Sequence, residues 1–322
     1  MALGLVLIYR SPAYSDRVIN LVSKRSAYLP FIALGFLALL WGYNWVVMKV
    51  AVQYSDPFTF AALRNFLGSL VLFALVALRG GSLRPKAFWW IVLYSVFATG
   101  MSGLIVWAVH LGAAGRASVL NYTMPFWLLL MAWPILGERI RGIQWLAVVL
   151  ALAGLVFVLA PWSLRDVWSS VAAVAGGISW AISSVILKLM RRHHDLELLS
   201  FTAWQSLLGS IPLIVIALLV DKQGPAWTGS FIAALAYNAV AASAIAWVLW
   251  LFILDSLPAG TAGISTLAIP VVGVLTAWVQ LREQPGAMEA IGMALILAGL
   301  AVLTAWGVRG SGIAGHTGRR LR

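Results

Sequence analysis

The stretch Gly115–Glu138, GRASVLNYTMPFWLLLMAWPILGE, decides the fold because most of it is written a second time further along the chain. Gly260–Glu283 reads GTAGISTLAIPVVGVLTAWVQLRE. Gly115 falls on Gly260, Ala117 on Ala262, Pro125 on Pro270, Leu130 on Leu275, Ala132–Trp133 on Ala277–Trp278 and Glu138 on Glu283. Each copy is an apolar run of membrane-crossing length with a proline near its middle. One such proline could be an accident of a single helix, whereas the same proline in two halves predicts a recurrent break.

Composition agrees with a membrane setting. The chain is 62% hydrophobic and only 10% charged, against about a quarter charged residues in soluble domains. It contains no cysteine, which excludes disulfides and thiolate metal sites. Residues 1–28 do not read as a secretory signal. The run Ala2–Ile8 is short, has no basic region before it and no small-x-small site after it, so an intracellular tail is expected.

A helix needs roughly 20 apolar residues to cross about 30 Å of hydrocarbon. The runs that qualify are Leu29–Val50, Pro57–Leu78, Trp89–His110, Gly115–Leu136, Gly142–Leu159, Trp168–Met190, Leu198–Val220, Gly229–Leu254, Gly260–Leu281 and Gly286–Val308. Turn formers such as Asp56–Pro57, Gly80–Gly81 and Gly224–Pro225 punctuate the short links. No link could hold a soluble domain.

Orientation follows from Lys and Arg near the span ends. With the N-terminus inside, the inner segments hold Arg10, Arg17, Lys24, Arg25, Arg79, Arg84, Lys86, Arg139, Arg141, Arg191, Arg192, Arg309, Arg319, Arg320 and Arg322. The outer links hold only Arg116, Arg165, Lys222 and Arg282. Both termini are therefore expected in the cytoplasm. The net charge of +12 then faces anionic lipid headgroups, and nucleic acid is not the expected partner.

Other spans repeat as well. Trp41–Lys49, WGYNWVVMK, matches Trp180–Lys188, WAISSVILK. Phe60, Ala62, Leu67, Gly68 and Ser69 match Phe201, Ala203, Leu208, Gly209 and Ser210, and Gly154–Leu155 matches Gly299–Leu300. The third and eighth spans align poorly. The expected fold is an all-α polytopic membrane protein of ten transmembrane helices, built as two five-helix repeats. Five is odd, so the second repeat enters the membrane from the opposite face as an inverted copy. The expected parts are a tail at 1–28, a first repeat at 29–160, a linker at 161–167, a second repeat at 168–308 and a basic tail at 309–322.

WGYNWVVMK running on to PFTFAALRN, and the GRASVLNYTMP…GER segment with its echo, resemble the drug/metabolite transporter superfamily in its ten-span EamA group. The resemblance covers roughly residues 30–308 and is nearest to amino-acid exporters of the YddG type. It implies a central cavity lined mainly by spans 1, 3, 4, 6, 8 and 9, with spans 5 and 10 as scaffold. It also implies residence in the cell's inner membrane. Arg64 is echoed by Gln205, so no basic pair is expected at that position.

Within the spans, Pro125 and Pro270 lack an N–H and clash with the carbonyl four residues earlier, which frees the carbonyls of Asn121 and Thr266. A freed carbonyl at membrane depth is tolerated against protein or a wet cavity. Asn121 and Thr266 are therefore expected on a substrate path with the prolines as hinges, the plainer alternative being a packing kink. Trp41, Asn44 and Met48 share one face of the first span, as Trp180, Ser183 and Ser184 do in the sixth. Their polar atoms could bind substrate or glue helices together. Tyr94 and Met101 in the third span, with Asn238 and Trp247 in the eighth, are further candidates.

Lys49, Arg64 and Lys188 are the charges inside spans. One of them could attract a substrate carboxylate. Otherwise the lysines snorkel and Arg64 pairs with carbonyls or a neighbouring helix. Glu138 and Glu283 are expected to pair with Arg139, Arg141 or Arg282 at the surface. No Asp or Glu takes a mid-bilayer position, so the usual carboxylate proton relay is missing. No phosphate-binding loop, catalytic triad or metal-spaced histidine pattern is present, and no enzyme activity, cofactor or metal is expected. The expected function is export of aromatic or other apolar amino acids, or related small metabolites, by alternating access. The alternatives are a multidrug or nucleotide-sugar carrier and, outside transport, a membrane-embedded enzyme or sensor.

Overall fold

A computed structural model of the chain describes residues 29–137, 142–159, 167–246, 249, 252–253 and 259–317. In hydrocarbon every backbone N–H and C=O has to be satisfied within its own segment, and uninterrupted apolar runs answer by forming helices. The described helices are α1 (Leu29–Ala51), α2 (Pro57–Leu78), α3 (Phe88–Leu111), α4 (Ala114–Asn121), α5 (Met124–Leu136) and α6 (Gln144–Leu159). They continue with α7 (Val167–Arg191), α8 (Leu198–Val220), α9 (Gly229–Ala236), α10 (Ala259–Leu281) and α11 (Ala287–Thr317). Among the described residues six spans are long and apolar enough to cross a membrane, with α4 and α5 together forming one of them. Shorter apolar helices accompany these six.

Helix starts follow the local chemistry. Asp56 accepts from the backbone N–H of Phe58 and Thr59 at 2.8 and 3.3 Å, and Pro57 fills the first turn where no N–H is needed. Glu197 caps α8 through Ser200 N at 3.0 Å, and Thr228 caps α9 through Phe231 N at 3.2 Å. Gly137, at φ +75°, closes α5 in the left-handed conformation that glycine adopts without strain.

Three elements depart from the sequence reading. The fourth span is two helices, not one kinked helix: α4 stops at Asn121 and α5 restarts at Met124. Pro125 thus sits in the first turn of a new helix, where its missing N–H costs nothing. The eighth span leaves α geometry after Ala236 and runs as a π-helix from Tyr237 to Ile245, although it holds no proline or glycine there. The last helix continues to Thr317, past the Val308 boundary expected for it.

Helix directions are fixed by contacts at one face of the bundle, the face where Asp56 lies. Lys49 Nζ, near the end of α1, donates to the carbonyls of Val109 and Gly112 at the end of α3. Ser169, at the start of α7, donates to Ala108 O at 2.7 Å, so α7 begins where α1 and α3 finish. Thr59 at the start of α2 donates to Asp221 at the end of α8 at 2.6 Å. Gly115 N at the start of α4 meets Glu283 Oε2 just past α10 at 3.1 Å. Each of the pairs α1/α7, α2/α8 and α4/α10 therefore runs antiparallel.

The packing is correspondingly two-fold. The helix α2 lies against α8, and α6 against α11. The helix α10 packs on both α1 and α4, much as α4 and α5 pack on α7. Small residues permit the closest approach: a Cβ on Gly154 of α6 would stand 2.6 Å from the carbonyl oxygen of Gly292 in α11. Buried residues of this seam, among them Leu155 and Ile296, join those of the other helices in the main apolar core.

Candidate functional site

The site is built around the gap between α4 and α5. The hydroxyl of Thr123 donates to Leu120 O at 2.6 Å and accepts from the indole N–H of Trp127 at 3.0 Å, holding the open turn from both sides. Tyr122 packs edge-on against Trp180 of α7 with ring centroids 5.7 Å apart. The carbonyl oxygen of Asn121 points at Gly177, where a Cβ would meet it at 2.8 Å. Its side-chain oxygen points at Gly176, where a Cβ would meet it at 3.1 Å. The two glycines make a notch in α7 that receives the loose end of α4.

Asn121 is one of several buried residues of the bundle that hold a polar atom without a protein partner. The side-chain oxygens of Asn44, Asn121 and Asn238 and the hydroxyl of Ser118 are buried and unbonded among the described residues. Asn44, Asn121 and Asn238 are 8%, 2% and 1% exposed. A buried acceptor left without a donor costs about 1–3 kcal/mol, so one such atom wants an explanation and four on the same bundle want a shared one. Ser118 faces Gly273 of α10, where a Cβ would approach its oxygen to 2.7 Å. The residue that sequence reasoning missed is Ser118; its lack of any partner becomes visible only when α10 is laid beside it.

Other expected residues are brought together in pairs. The indole of Trp41 donates to Ala242 O in the π-helix at 2.9 Å, while Tyr237 OH donates to Leu40 O at 2.7 Å. These two bonds lock α1 to the irregular part of the eighth span. Tyr94 meets the hydroxyl of Ser183, and Ser183 and Ser184 both donate to Trp180 O at 2.8 Å. Met48 is buried at 1% exposure, where its sulfur accepts from Arg64 Nη1 at 2.9 Å. Met101 packs partly buried against the main core.

Several expectations are replaced by different contacts. Lys49 caps the C-terminal carbonyls of α3, a favourable place for a cation at the negative end of a helix. Glu283 meets the N–H of Gly115, at the positive end of α4, and not an arginine of its own half. Arg116 pairs with Glu289 of α11 at 3.5 Å. Arg64 does reach a neighbouring helix, through a sulfur and not a carbonyl. Lys188 lies exposed in the last turn of α7. Trp247, Glu138 and the side chain of Thr266 lie outside the described residues. Pro270 is buried within an uninterrupted α10.

Hollows among the described residues include one beside Arg84, Lys86, Glu197 and Trp204 and another between α5 and α6 whose wall includes Thr123 and Trp127. At the Asp56 face Ser169–Ala108, Thr59–Asp221, Gly115–Glu283 and Arg116–Glu289 all tie residues before 160 to residues after 167.

The sequence pattern of the EamA-like transporter family matches this chain twice, over residues 29–160 and 167–305. The chain belongs to the EamA-like transporter family. Its relatives include an uncharacterized transporter, YoaV, of Bacillus subtilis, 26% identical over 82% of this chain and 92% of the relative. A probable amino-acid metabolite efflux pump of Salmonella typhimurium is 28% identical over 83% of this chain and 93% of its own. The Escherichia coli protein of the same description is 27% identical over the same shares. A chain of known crystal structure superposes with a TM-score of 0.62 at 23% identity, covering 87% of this chain and 98% of that one, which shows a shared fold. This EamA-family chain is thus a multi-pass membrane transporter of the cell's inner membrane.

For an EamA-family transporter the half-buried cation at Arg64 is costly to keep. It lies seven residues into α2, about 10 Å along the helix axis. An arginine at the centre of a membrane helix costs about 2.5–3.5 kcal/mol on insertion scales.

Proposed function

We propose that this transporter exports amino acids with aromatic or other apolar side chains, or related small metabolites, by alternating access. Two five-helix halves, 29–160 and 168–308, joined by 161–167, would form ten spans with both termini in the cytoplasm. The antiparallel pairs α1/α7, α2/α8 and α4/α10 support an inverted second half. Two similar bundles of opposite sense can then rock about a site held between them.

One observation carries the reading: the gap at Asn121–Thr123, with its loose carbonyl seated on Gly176–Gly177, and unbonded carboxamides at Asn44 in one half and Asn238 in the other. Irregular backbone is kept at membrane depth only where protein or a wet cavity satisfies it. Here Asn44, Asn121, Ser184, Asn238 and Thr266 would offer hydrogen bonds, with Trp41, Tyr94, Met101, Trp180, Ser183 and Trp247 as an adaptable wall. Pro125 and Pro270 would act as flexing points. With no acidic relay in the spans, transport is expected to run down the substrate gradient.

The test is counterflow into liposomes over a panel of labelled metabolites. Exchange of phenylalanine, leucine or a close relative supports the reading. Exchange restricted to sugar nucleotides or cationic drugs would move the chain to another substrate class of the superfamily.

A further inference from the structure

Arg64 is the group in the bundle that the proposed function has not yet used. It projects from α2, whose close neighbours are α8, α3, α9 and the π-helix. From there its long side chain reaches α1, where the sulfur of Met48 is its one hydrogen-bond partner among the described residues. A thioether is a weak acceptor and takes one of the five N–H donors that a guanidinium presents.

The chemistry that would satisfy Arg64 is a carboxylate. The planar guanidinium fork matches two carboxylate oxygens, and such a pair is shorter and stronger than neutral hydrogen bonds. Acidic side chains cannot serve, because α1, α2, α3, α9 and the π-helix carry no Asp or Glu. One helical turn from Met48, on the same face of α1, stands Asn44 with its buried, unbonded side-chain oxygen. That places an acceptor about 6 Å along the helix axis from the Arg64–Met48 contact, as four residues rise by about that much. A cationic fork and a bare carbonyl oxygen a turn apart suit the carboxylate and ammonium of one zwitterion.

We propose that Arg64 is the carboxylate anchor of the substrate site, with Asn44 accepting from the substrate's ammonium group. This rests on the transport reading above and narrows it. The substrate keeps a free carboxyl group, and compounds in which that group is an amide or ester are rejected. Met48 then acts as a resting partner that holds the guanidinium toward α1 and yields when the carboxylate arrives.

The experiment compares phenylalanine with phenylalaninamide, and 3-phenylpropanoate with its amide, in counterflow by the full-length wild-type protein in liposomes. Each acid should outcompete its amide by at least about tenfold, since a site built for a charged partner rejects the analogue lacking it. In Arg64→Gln the acid should fall to the level of its amide, and Arg64→Lys should recover part of the difference. If Arg64→Gln does not survive purification, the wild-type comparison alone decides: equal carriage of acid and amide overturns the anchor. Phenylalanine exchange that is unaltered in a well-folded Arg64→Gln also overturns it, while leaving the transport reading intact. Carriage of phenylpropanoate but not of phenylalanine, lost in Arg64→Gln, would keep the anchor and remove the amino-acid reading. Carriage of neutral or cationic compounds alone would remove both.

Discussion

Pro125 and Pro270 occupy the same place in the repeated stretch, yet α4 and α5 part before the first while α10 runs unbroken through the second. A proline does not by itself break a membrane helix. At the first site Thr123 supplies a hydroxyl that replaces lost backbone bonds, and Tyr122 has an aromatic partner in Trp180. The corresponding residues before Pro270 are Leu267 and Ala268, which offer neither. The receiving helix differs too. The repeat that aligns Trp41 with Trp180 sets Leu37 and Ala38 against Gly176 and Gly177, and the close approach in the second copy lies elsewhere: a Cβ on Gly42 of α1 would stand 2.9 Å from the carbonyl oxygen of Ile269 in α10. The halves share a sequence pattern, and they differ in what surrounds each proline: the first opens a new helix after a break, the second lies inside a continuous one.

The largest way to break this contrast is to fill the notch. Gly177→Leu puts a side chain where Asn121 O, a backbone atom, cannot move aside, and should cost about 3 kcal/mol or more with loss of transport. Thermal unfolding in detergent and liposome counterflow would register it, whereas Ala38→Leu in the other half should be far milder. Next are the prolines. Pro270→Ala restores an N–H inside a continuous helix and should stabilise the protein by up to about 3 kcal/mol while slowing exchange. Pro125→Ala, at the first turn of α5, should change stability by no more than about 0.5 kcal/mol. Equal effects at the two sites would dissolve the distinction.

Smaller still is Thr123→Val. It removes the bond to Leu120 O and strands the indole N–H of Trp127, a loss of about 1–2 kcal/mol that Ala268→Val should not reproduce. The smallest effect concerns the tie between α2 and α8. The Thr59 hydroxyl, with help from the N–H groups of Gly224 and Gln223, holds the Asp221 carboxyl below the usual carboxylate range. A depressed folded pKa adds stability above the unfolded value of about 3.9, and that stability is lost as pH falls through the folded pKa. The melting difference between wild type and Thr59→Val should therefore be fullest near neutral pH and shrink below about pH 4. A difference that grows on acidification would contradict the bond.

Much of this was legible in the chain. Hydropathy located the six full-length spans among the described residues, and the expectation of an inverted second copy has α4 and α10 run oppositely, as the Gly115–Glu283 contact has them. The remainder depends on residues that meet only in space. Pro125 announced a disturbance, but whether it kinks or parts the helix is decided by Gly176 and Gly177, more than fifty positions away. The π-helix at Tyr237–Ile245 shifts a hydrogen-bond register, and Ser243 donating to Asn238 O five residues earlier reveals it. No proline or glycine marks it in the sequence. Glu283 was read beside its neighbouring arginine, whereas the helix end across the bundle claims it.

The chain has no cysteine, so a single introduced thiol reports without background. Asn121→Cys in liposomes, treated with a membrane-impermeant maleimide from one side at a time during exchange, asks directly whether the buried gap opens in turn to each face. Alternating access predicts labelling from both sides, with each side's rate altered by substrate on the other. Labelling from one side only, or from neither while substrate is being exchanged, would contradict it.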